Sequence, residues 1–482
     1  MSNLKKELLL GTIWSMGGQL LTMFVVLITN ILLARMLSPK DFGQLGIIMF
    51  FIVVSSVITE GGLGGALVRK IDIKNEDYST VFVFNFLVSL TCYGLLLLFS
   101  KNIANYYKDQ EIGTVLNVAG LVLVLNSFQV TQNVKMMREM RFKEKNLYRF
   151  VAVFAASIIG LICAYQGARI WSLVIIQVLT GLFLTVIIWM REGFFFDIRF
   201  NKRSFKSLYS FGVNTTLASL LDTAFDNIYQ ILLARYFSIA QVGMFYQAKK
   251  LQDVPGGIIN VVTQSVIFSS LAKLQGDKSK FKAVYHEIIL FYTIGLSIIA
   301  CLLYIYSENI ILLLYGSKWI GAAFYMELLS IASFFYFQEM FNRIIFKVFD
   351  RTRQILILEL VKKTIHMLTI IAGVISRNIT LLICGLIITN MLSFLINYYF
   401  SRRVLGSPNR VELFMILKIC ALSLISVLFC SSIIYLFGMN GYLTFFLLPL
   451  FLLTYLFLLR IFGIMNILDK MRMIKSVINT SR

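Results

Sequence analysis

Charge is scarce in this chain, and proline scarcer still. Charged residues make up 14% of 482, and only four prolines interrupt the sequence. Charge at about half its usual share, with 58% hydrophobic residues, excludes an ordinary soluble domain, which would show strands, turn clusters and amphipathic stripes. The apolar residues fall instead into runs of roughly twenty or more, the length a helix needs to cross hydrocarbon. Metal-ligand and redox cysteine spacings are missing too. Cys92, Cys163, Cys301, Cys384, Cys420 and Cys430 all sit within apolar runs and read as packing residues, so no metal or cofactor is expected. The glycines around Gly61, Gly62, Gly64 and Gly65 lack phosphate-loop spacing and read as sites of close helix packing.

What is present is an all-α pattern. Spans are expected over 11–34, 42–68, 80–100, 112–132, 147–165 and 170–190, then 209–234, 242–271, 284–307, 322–348, 355–376 and 378–400, then 413–437 and 441–462. The total is about fourteen. The basic start Leu4-Lys5-Lys6 is like the charged region of a signal peptide, but the following run is too long and lacks a small-residue cleavage site. It is expected to remain as the first helix.

Ile-Leu-Leu-Ala-Arg occurs at Ile31–Arg35 and again at Ile231–Arg235, and the match extends without a gap to Ile28 and Ile228, Ser38 and Ser238, Gly43 and Gly243. Six spans separate the copies, so both run in the same direction. A parallel repeat predicts two six-helix lobes related by an axis along the membrane normal, rocking around a central cavity in alternating access. The expected boundaries are 1–200 for the first lobe, 201–404 for the second, and 405–482 for two extra spans and a cytoplasmic tail, entered through Arg402-Arg403 and a Ser407-Pro408-Asn409 hinge.

Lys and Arg number 45 against 24 acidic residues. With a cytoplasmic N-terminus, roughly 33 of these cations fall on inner loops and tails, about 8 on outer loops and about 4 inside spans, as the positive-inside rule demands. Both termini are therefore expected in the cytoplasm. The excess positive charge reports topology and contact with anionic membrane lipids, and no nucleic acid partner is expected.

Several segments resemble the oligosaccharide flippases, the Wzx-like polysaccharide biosynthesis exporters of the multidrug/oligosaccharidyl-lipid/polysaccharide (MOP) superfamily. The stretch Leu33 to Gly43 looks like that family's first external turn, and Glu60 to Arg69 like the end of its second helix. Arg138-Glu139-Met140-Arg141-Phe142 resembles the segment after the fourth helix, and Tyr246 to Pro255 the eighth. The family's proline after the eighth helix is replaced by Phe268-Ser269-Ser270-Leu271. The resemblance implies a bacterial inner-membrane transporter, not an enzyme. Its implied substrate is a polyprenyl-pyrophosphate-linked oligosaccharide, for O-antigen, capsule or exopolysaccharide synthesis, with polysaccharide assembly proteins as partners.

A charge in mid-span costs roughly 2.5–3.5 kcal/mol on insertion scales, so polar clusters need protein or water beside them. Glu359, Lys362, Lys363 and His366 fall at i, i+3, i+4 and i+7 on one face of the eleventh span. Either Glu359 and Lys363 pair to stabilise the bundle, or Lys362 and Lys363 form a cationic floor for an anionic headgroup. His366 reads as a packed, hydrogen-bonded residue. Lys249 and Lys250 stand one turn before Asp253, and Pro255 interrupts the helix there. This suits a moving gate with phosphate-binding lysines, or lysines reaching to the surface. Ser219, Asp222, Asp226 and Gln230 share a stripe of the seventh span, matched by Gln19, Thr22, Val26 and Asn30 on the first. Asp222 and Asp226 could hold a coupling cation or sugar hydroxyls, or bond neighbouring helices. Glu339 with Arg343 at i, i+4, and Glu60 beside the glycine run, read as an inner gate or structural ion pair. Arg35 and Arg235 read as interface anchors.

The rival within the same superfamily is a cation-coupled multidrug exporter, which the two aspartates fit and the four lysines do not. A membrane polymerase or ligase would need a sizeable outer loop with catalytic side chains. The outer connections here offer little beyond Lys101, Lys108, Asp109 and Glu111.

Overall fold

The structure is a computed structural model, and it describes residues 2–193, 196–406, 410–437 and 441–464. The Ser407-Pro408-Asn409 hinge and the tail beyond 464 lie outside the described residues. Among the described residues every regular element is a helix and no strand occurs. The order begins α1 (Ser2–Met36), α2 (Pro39–Glu60), α3 (Leu63–Arg69), α4 (Asn75–Tyr107), α5 (Gln110–Ala119), α6 (Leu121–Ser127), α7 (Val130–Arg138), α8 (Phe142–Tyr165), α9 (Ile170–Glu192) and α10 (Lys202–Tyr236). It continues with α11 (Ile239–Val261), a π-helical stretch Val262–Ile267, α12 (Phe268–Ala272), α13 (Lys278–Ile305), α14 (Ser307–Leu314), α15 (Gly321–Val348), α16 (Thr352–Ile375), α17 (Ile379–Leu405), α18 (Arg410–Leu436) and α19 (Leu448–Ile461).

Against about fourteen expected spans, eleven helices or runs of short ones among the described residues are long and apolar enough to cross a membrane, so the chain is a multi-pass membrane protein. Among the helices of 18 residues or more, those outside that set are α10, α15 and α16, the helices carrying Asp222 and Asp226, Glu339 and Arg343, and the Glu359–His366 face.

The chain forms two compact units, residues 1–247 and 248–482. In the first, Ile47, Ile48 and Ile52 of α2 pack with Leu96 of α4, Leu116 of α5 and Val174 of α9 into a continuous apolar core. A second core near the other helix ends joins Leu63 and Leu67 of α3 with Phe82 of α4 and Val134 of α7. The second expected span is broken in two. Gly61 and Gly62 adopt φ of +56° and +62°, the left-handed region that costs glycine nothing, and Gly212 of α10 packs against the carbonyl oxygen of Gly61.

Charged side chains fasten helix ends in this unit. The Arg138 guanidinium donates to the carbonyls of Leu67, at 3.1 Å, and of Lys70 and Ile71, so it caps α3. Arg141 forms a fork with Glu192 at 2.7 and 2.8 Å, tying the start of α8 to the end of α9. Hydrogen bonding to that carboxylate raises the Arg141 pKa further above its ordinary range. Asp77 is buried between Lys70, at 2.8 Å, and the Ser204 hydroxyl.

In the second unit, α13, α15, α17 and α18 share a core that includes Phe281, Phe341, Ile345, Phe394 and Ile416. Leu290 and Ile294 of α13 pack against Ile419 and Leu422 of α18 and Tyr455 and Leu459 of α19. One buried charge pair crosses this assembly. Arg402 of α17 donates to Glu412 of α18, and also to the Tyr285 hydroxyl at 3.2 Å and Asn342 Oδ1 at 3.3 Å. The Tyr285 and Tyr398 rings flank its guanidinium, each centroid 4.8 Å away.

Arg402→Ala strands Glu412 in an apolar core and should cost about 3–5 kcal/mol. Arg402→Met with Glu412→Leu removes both charges and should recover most of that loss. Thermal unfolding of the detergent-purified proteins distinguishes the two.

Candidate functional site

The densest polar constellation lies inside the second unit, between α15, α16 and α17. Glu339 is 2% exposed and Lys362 5%, and no lone charge could persist there. Lys362 Nζ donates to Glu339 Oε1 at 2.7 Å and to Glu359 Oε1 at 2.6 Å. Arg343 Nη2 reaches Glu339 Oε2 at 2.7 Å, and its Nη1 stands 3.2 Å from Glu359 Oε1. The Asn397 amide of α17 also donates to Glu339 Oε1. Two carboxylates face two cations, so the cluster is formally neutral and ties three helices together. Its pairs at i, i+3 and i, i+4 follow from helical geometry. The long-range partner, Glu339, draws Lys362 inward.

Lys363 is turned roughly 100° round α16 from Lys362 and is half-buried. His366 is buried on the same helix, and one turn further Thr369 meets Thr389 of α17 at 2.9 Å between hydroxyls. On α11, Lys249 is half-buried while Lys250 and Asp253 are exposed, and Pro255 lies inside a continuous helix that turns π-helical after Val261. Gly256 lets the Phe337 ring approach: a methyl there would stand 3.0 Å from its Cζ.

In the first unit, Asp222 and Asp226 are both exposed on α10, whereas Gln230 is buried and its amide donates toward Asn227 at 3.5 Å. On α1, Gln19 and Val26 are exposed, and Thr22 is buried with its hydroxyl bonded to the Gly18 carbonyl at 2.8 Å. Glu60 is exposed at the end of α2, just before the left-handed Gly61. Arg235 stacks on the Tyr106 ring at 4.4 Å. Among the described residues no group of three or more His, Cys, Asp or Glu side chains has a metal-binding arrangement.

The constellation thus divides. Glu339, Arg343, Glu359 and Lys362 are brought together, while Asp222 and Asp226 belong to a different compact unit from the lysines. Sequence reading missed Asn397 as a partner of Glu339, and Arg402 with Glu412. The signal for the second pair was an arginine at a helix end followed ten residues on by a glutamate in a first turn.

The family described as polysaccharide biosynthesis protein matches residues 32–324, more than half of the chain. The chain belongs to that family. By sequence it is similar to the lipopolysaccharide biosynthesis protein WzxC of Escherichia coli (strain K12), 20% identical over 337 residues, covering 68% of this chain and 67% of WzxC. It is similar also to the succinoglycan biosynthesis transport protein ExoT of Rhizobium meliloti (strain 1021), 22% identical over 328 residues, 66% of this chain and 65% of ExoT. The teichuronic acid biosynthesis protein TuaB of Bacillus subtilis (strain 168) is 21% identical over 341 residues, 69% of each. The chain thus spans about two thirds of the length of these relatives. In fold it is similar to the lipid II flippase MurJ in an inward closed conformation, with TM-score 0.70 and 16% identity over 94% of this chain and 98% of that one. An inward-facing multidrug resistance MATE family transporter of the MOP superfamily follows, with TM-score 0.61 and 15% identity over 80% and 94%. The fold is that of the MurJ and MATE transporters.

The two adjacent lysines should behave differently. Lys362→Gln leaves the buried Glu339 and the half-buried Glu359 sharing one cation and should destabilise the protein by about 3 kcal/mol or more, lowering its amount in the membrane. Lys363→Gln should leave that amount unchanged, as quantitative immunoblotting of membranes would show.

Proposed function

We propose that this protein is a flippase that carries a polyprenyl-pyrophosphate-linked oligosaccharide from the cytoplasmic to the outer leaflet of a bacterial inner membrane. The observation that carries the reading is the family match over residues 32–324. It is supported by relatives named for lipopolysaccharide, succinoglycan and teichuronic acid biosynthesis. A pyrophosphate-sugar headgroup is bulky, polar and doubly anionic, so hydrocarbon bars it unless a wet, cationic path shelters it while the lipid tail stays in the bilayer. In this reading Lys363, Lys249 and Lys250 hold the phosphates, and Lys362 is a positioning residue that keeps α16 in register through Glu339 and Glu359.

Asp222 and Asp226 bind sugar hydroxyls or a coupling cation on a stripe whose counterpart on α1 is uncharged. Glu60 and Asp253, both exposed, serve as gate residues. The two lobes are those of the repeat, 1–200 and 201–404, with 405–482 as an addition, and they alternate access with both termini in the cytoplasm. Membrane lipids and polysaccharide assembly proteins are the partners, and no chemical step is assigned to the protein. The likeness to multidrug transporters is one of fold, whereas the relatives by sequence are polysaccharide proteins, which favours the flippase.

Proteoliposomes with a fluorescent polyprenyl-pyrophosphate oligosaccharide should show protein-dependent leaflet exchange. Lys249→Gln with Lys363→Gln should slow it about tenfold or more, each charged hydrogen bond to phosphate being worth roughly 1.5–3 kcal/mol. Absence of exchange together with ion-driven drug uptake would select the exporter instead.

A further inference from the structure

The first compact unit holds a small cavity that its apolar packing leaves open. It lies between α2, the junction of α5 with α6, and α9, and encloses about 190 Å³. Its walls are aliphatic: Leu45, Ile48 and Ile52 along one stripe of α2, with Ala119 of α5 and Val174 of α9. All five are buried. The stripe runs through the middle of α2, the depth at which transporters hold their substrates.

Three polar side chains enter this apolar wall from three helices: Ser56 of α2, Asn126 of α6 and Gln177 of α9. The two amides are neighbours. Gly181 stands one turn beyond Gln177 on α9, and a methyl on it would lie 3.8 Å from Asn126 Oδ1. The Ser56 hydroxyl donates to the Ile52 carbonyl at 2.8 Å, which leaves its oxygen able to accept.

The same seam shows what a structural amide looks like. Gln129, one turn after Asn126, donates to the Gly181 carbonyl at 3.0 Å and to the Thr185 hydroxyl at 2.9 Å, so α9 satisfies it. Among the described residues, the side-chain amides of Asn126 and Gln177 have no such partner. An amide left unpaired inside a helix bundle is costly unless water or a ligand meets it. Helix packing accounts for Gln129 and not for the pair beside it.

The chemistry of the lining selects the ligand. Among the described residues no charged side chain lines the cavity, so a phosphate, a carboxylate or a cationic drug would find no counter-charge there. No aromatic ring lines it either, and the platform on which a bare pyranose face would stack is missing. The volume is below the roughly 300–1,000 Å³ of pockets for drug-sized ligands, room for one sugar residue and not for a whole headgroup. An acetamido substituent matches what remains. Its C=O and N–H complement a primary amide, which donates and accepts at once, and its methyl suits the aliphatic wall.

We infer that this cavity is a recognition site for one acetamido sugar of the carried oligosaccharide. Asn126 and Gln177 bond its acetamido group, and Ser56 accepts from a ring hydroxyl. The inference rests on the flippase reading. It divides the headgroup between two kinds of side chain: cations hold the phosphates, and neutral amides read the sugar.

Proteoliposomes containing the full chain are offered two fluorescent polyprenyl-pyrophosphate lipids, one carrying N-acetylglucosamine and the other glucose. The unmodified protein should exchange the first several-fold faster. Asn126→Leu with Gln177→Met, near-isosteric changes that delete both amides, should lower exchange of the acetamido lipid about tenfold relative to the glucose lipid, the share of two neutral hydrogen bonds. Equal rates for the two lipids in the unmodified protein, or a variant that keeps the preference, would overturn the site.

A cysteine replacing Val122, which lines the cavity, gives a reading that needs no transport. N-acetylglucosamine should slow its alkylation by N-ethylmaleimide several-fold, counted above the labelling of the native cysteines, while glucose at the same concentration should not. Protection by both sugars or by neither would overturn the acetamido site. If neither lipid is moved while N-acetylglucosamine alone protects, the flippase reading fails and the site stands. If both lipids are exchanged alike and neither sugar protects, the flippase reading stands and the site fails.

Discussion

A full charge inside a helix bundle wrapped in hydrocarbon persists only beside its opposite, and the second compact unit is organised by that requirement. Glu339 draws Lys362, Arg343 and Asn397 toward itself from three helices. Arg402 likewise gathers Glu412, Tyr285 and Asn342. Removing one member of such a set exposes the others to an environment that cannot solvate them. The price in hydropathy differs between the two sets: α15 and α16, which carry Glu339, Arg343, Glu359 and Lys362, are not among the helices apolar enough to cross a membrane by composition, whereas α17 and α18, which carry Arg402 and Glu412, are.

The same requirement separates fold from function among the lysines. Lys362 is committed to two carboxylates, so its positive charge is cancelled within the bundle. Lys363, one residue on, presents its charge from another side of the helix.

Much of this was legible from residues. Apolar run lengths located the helices, and the constant 200-residue offset exposed the repeat. Helical periodicity put Glu359, Lys362, Lys363 and His366 on one face. Periodicity fixes an angle on one helix, however, and says nothing of the neighbour, so Glu339 as the acid that holds Lys362 became visible only in three dimensions. Close packing at the glycine run is legible in the sequence and is present where Gly212 meets Gly61, but the left-handed backbone of Gly61 and Gly62 that divides α2 from α3 is not. Arg402 was hidden by its neighbour: a basic pair at a helix end looks like loop charge until Glu412 is seen beneath it.

The Arg402–Glu412 pair has a consequence for the connection it brackets. It joins α17 to α18 directly, so the alignment of those helices does not depend on the length of chain linking them. Loop closure costs grow only as the logarithm of length, roughly 0.6 kcal/mol per doubling, and here the ends are already held by the ion pair. A peptide epitope or small reporter domain spliced between 406 and 410 would therefore be carried without disturbing the bundle, which makes this junction a practical handle for following the protein in a living cell.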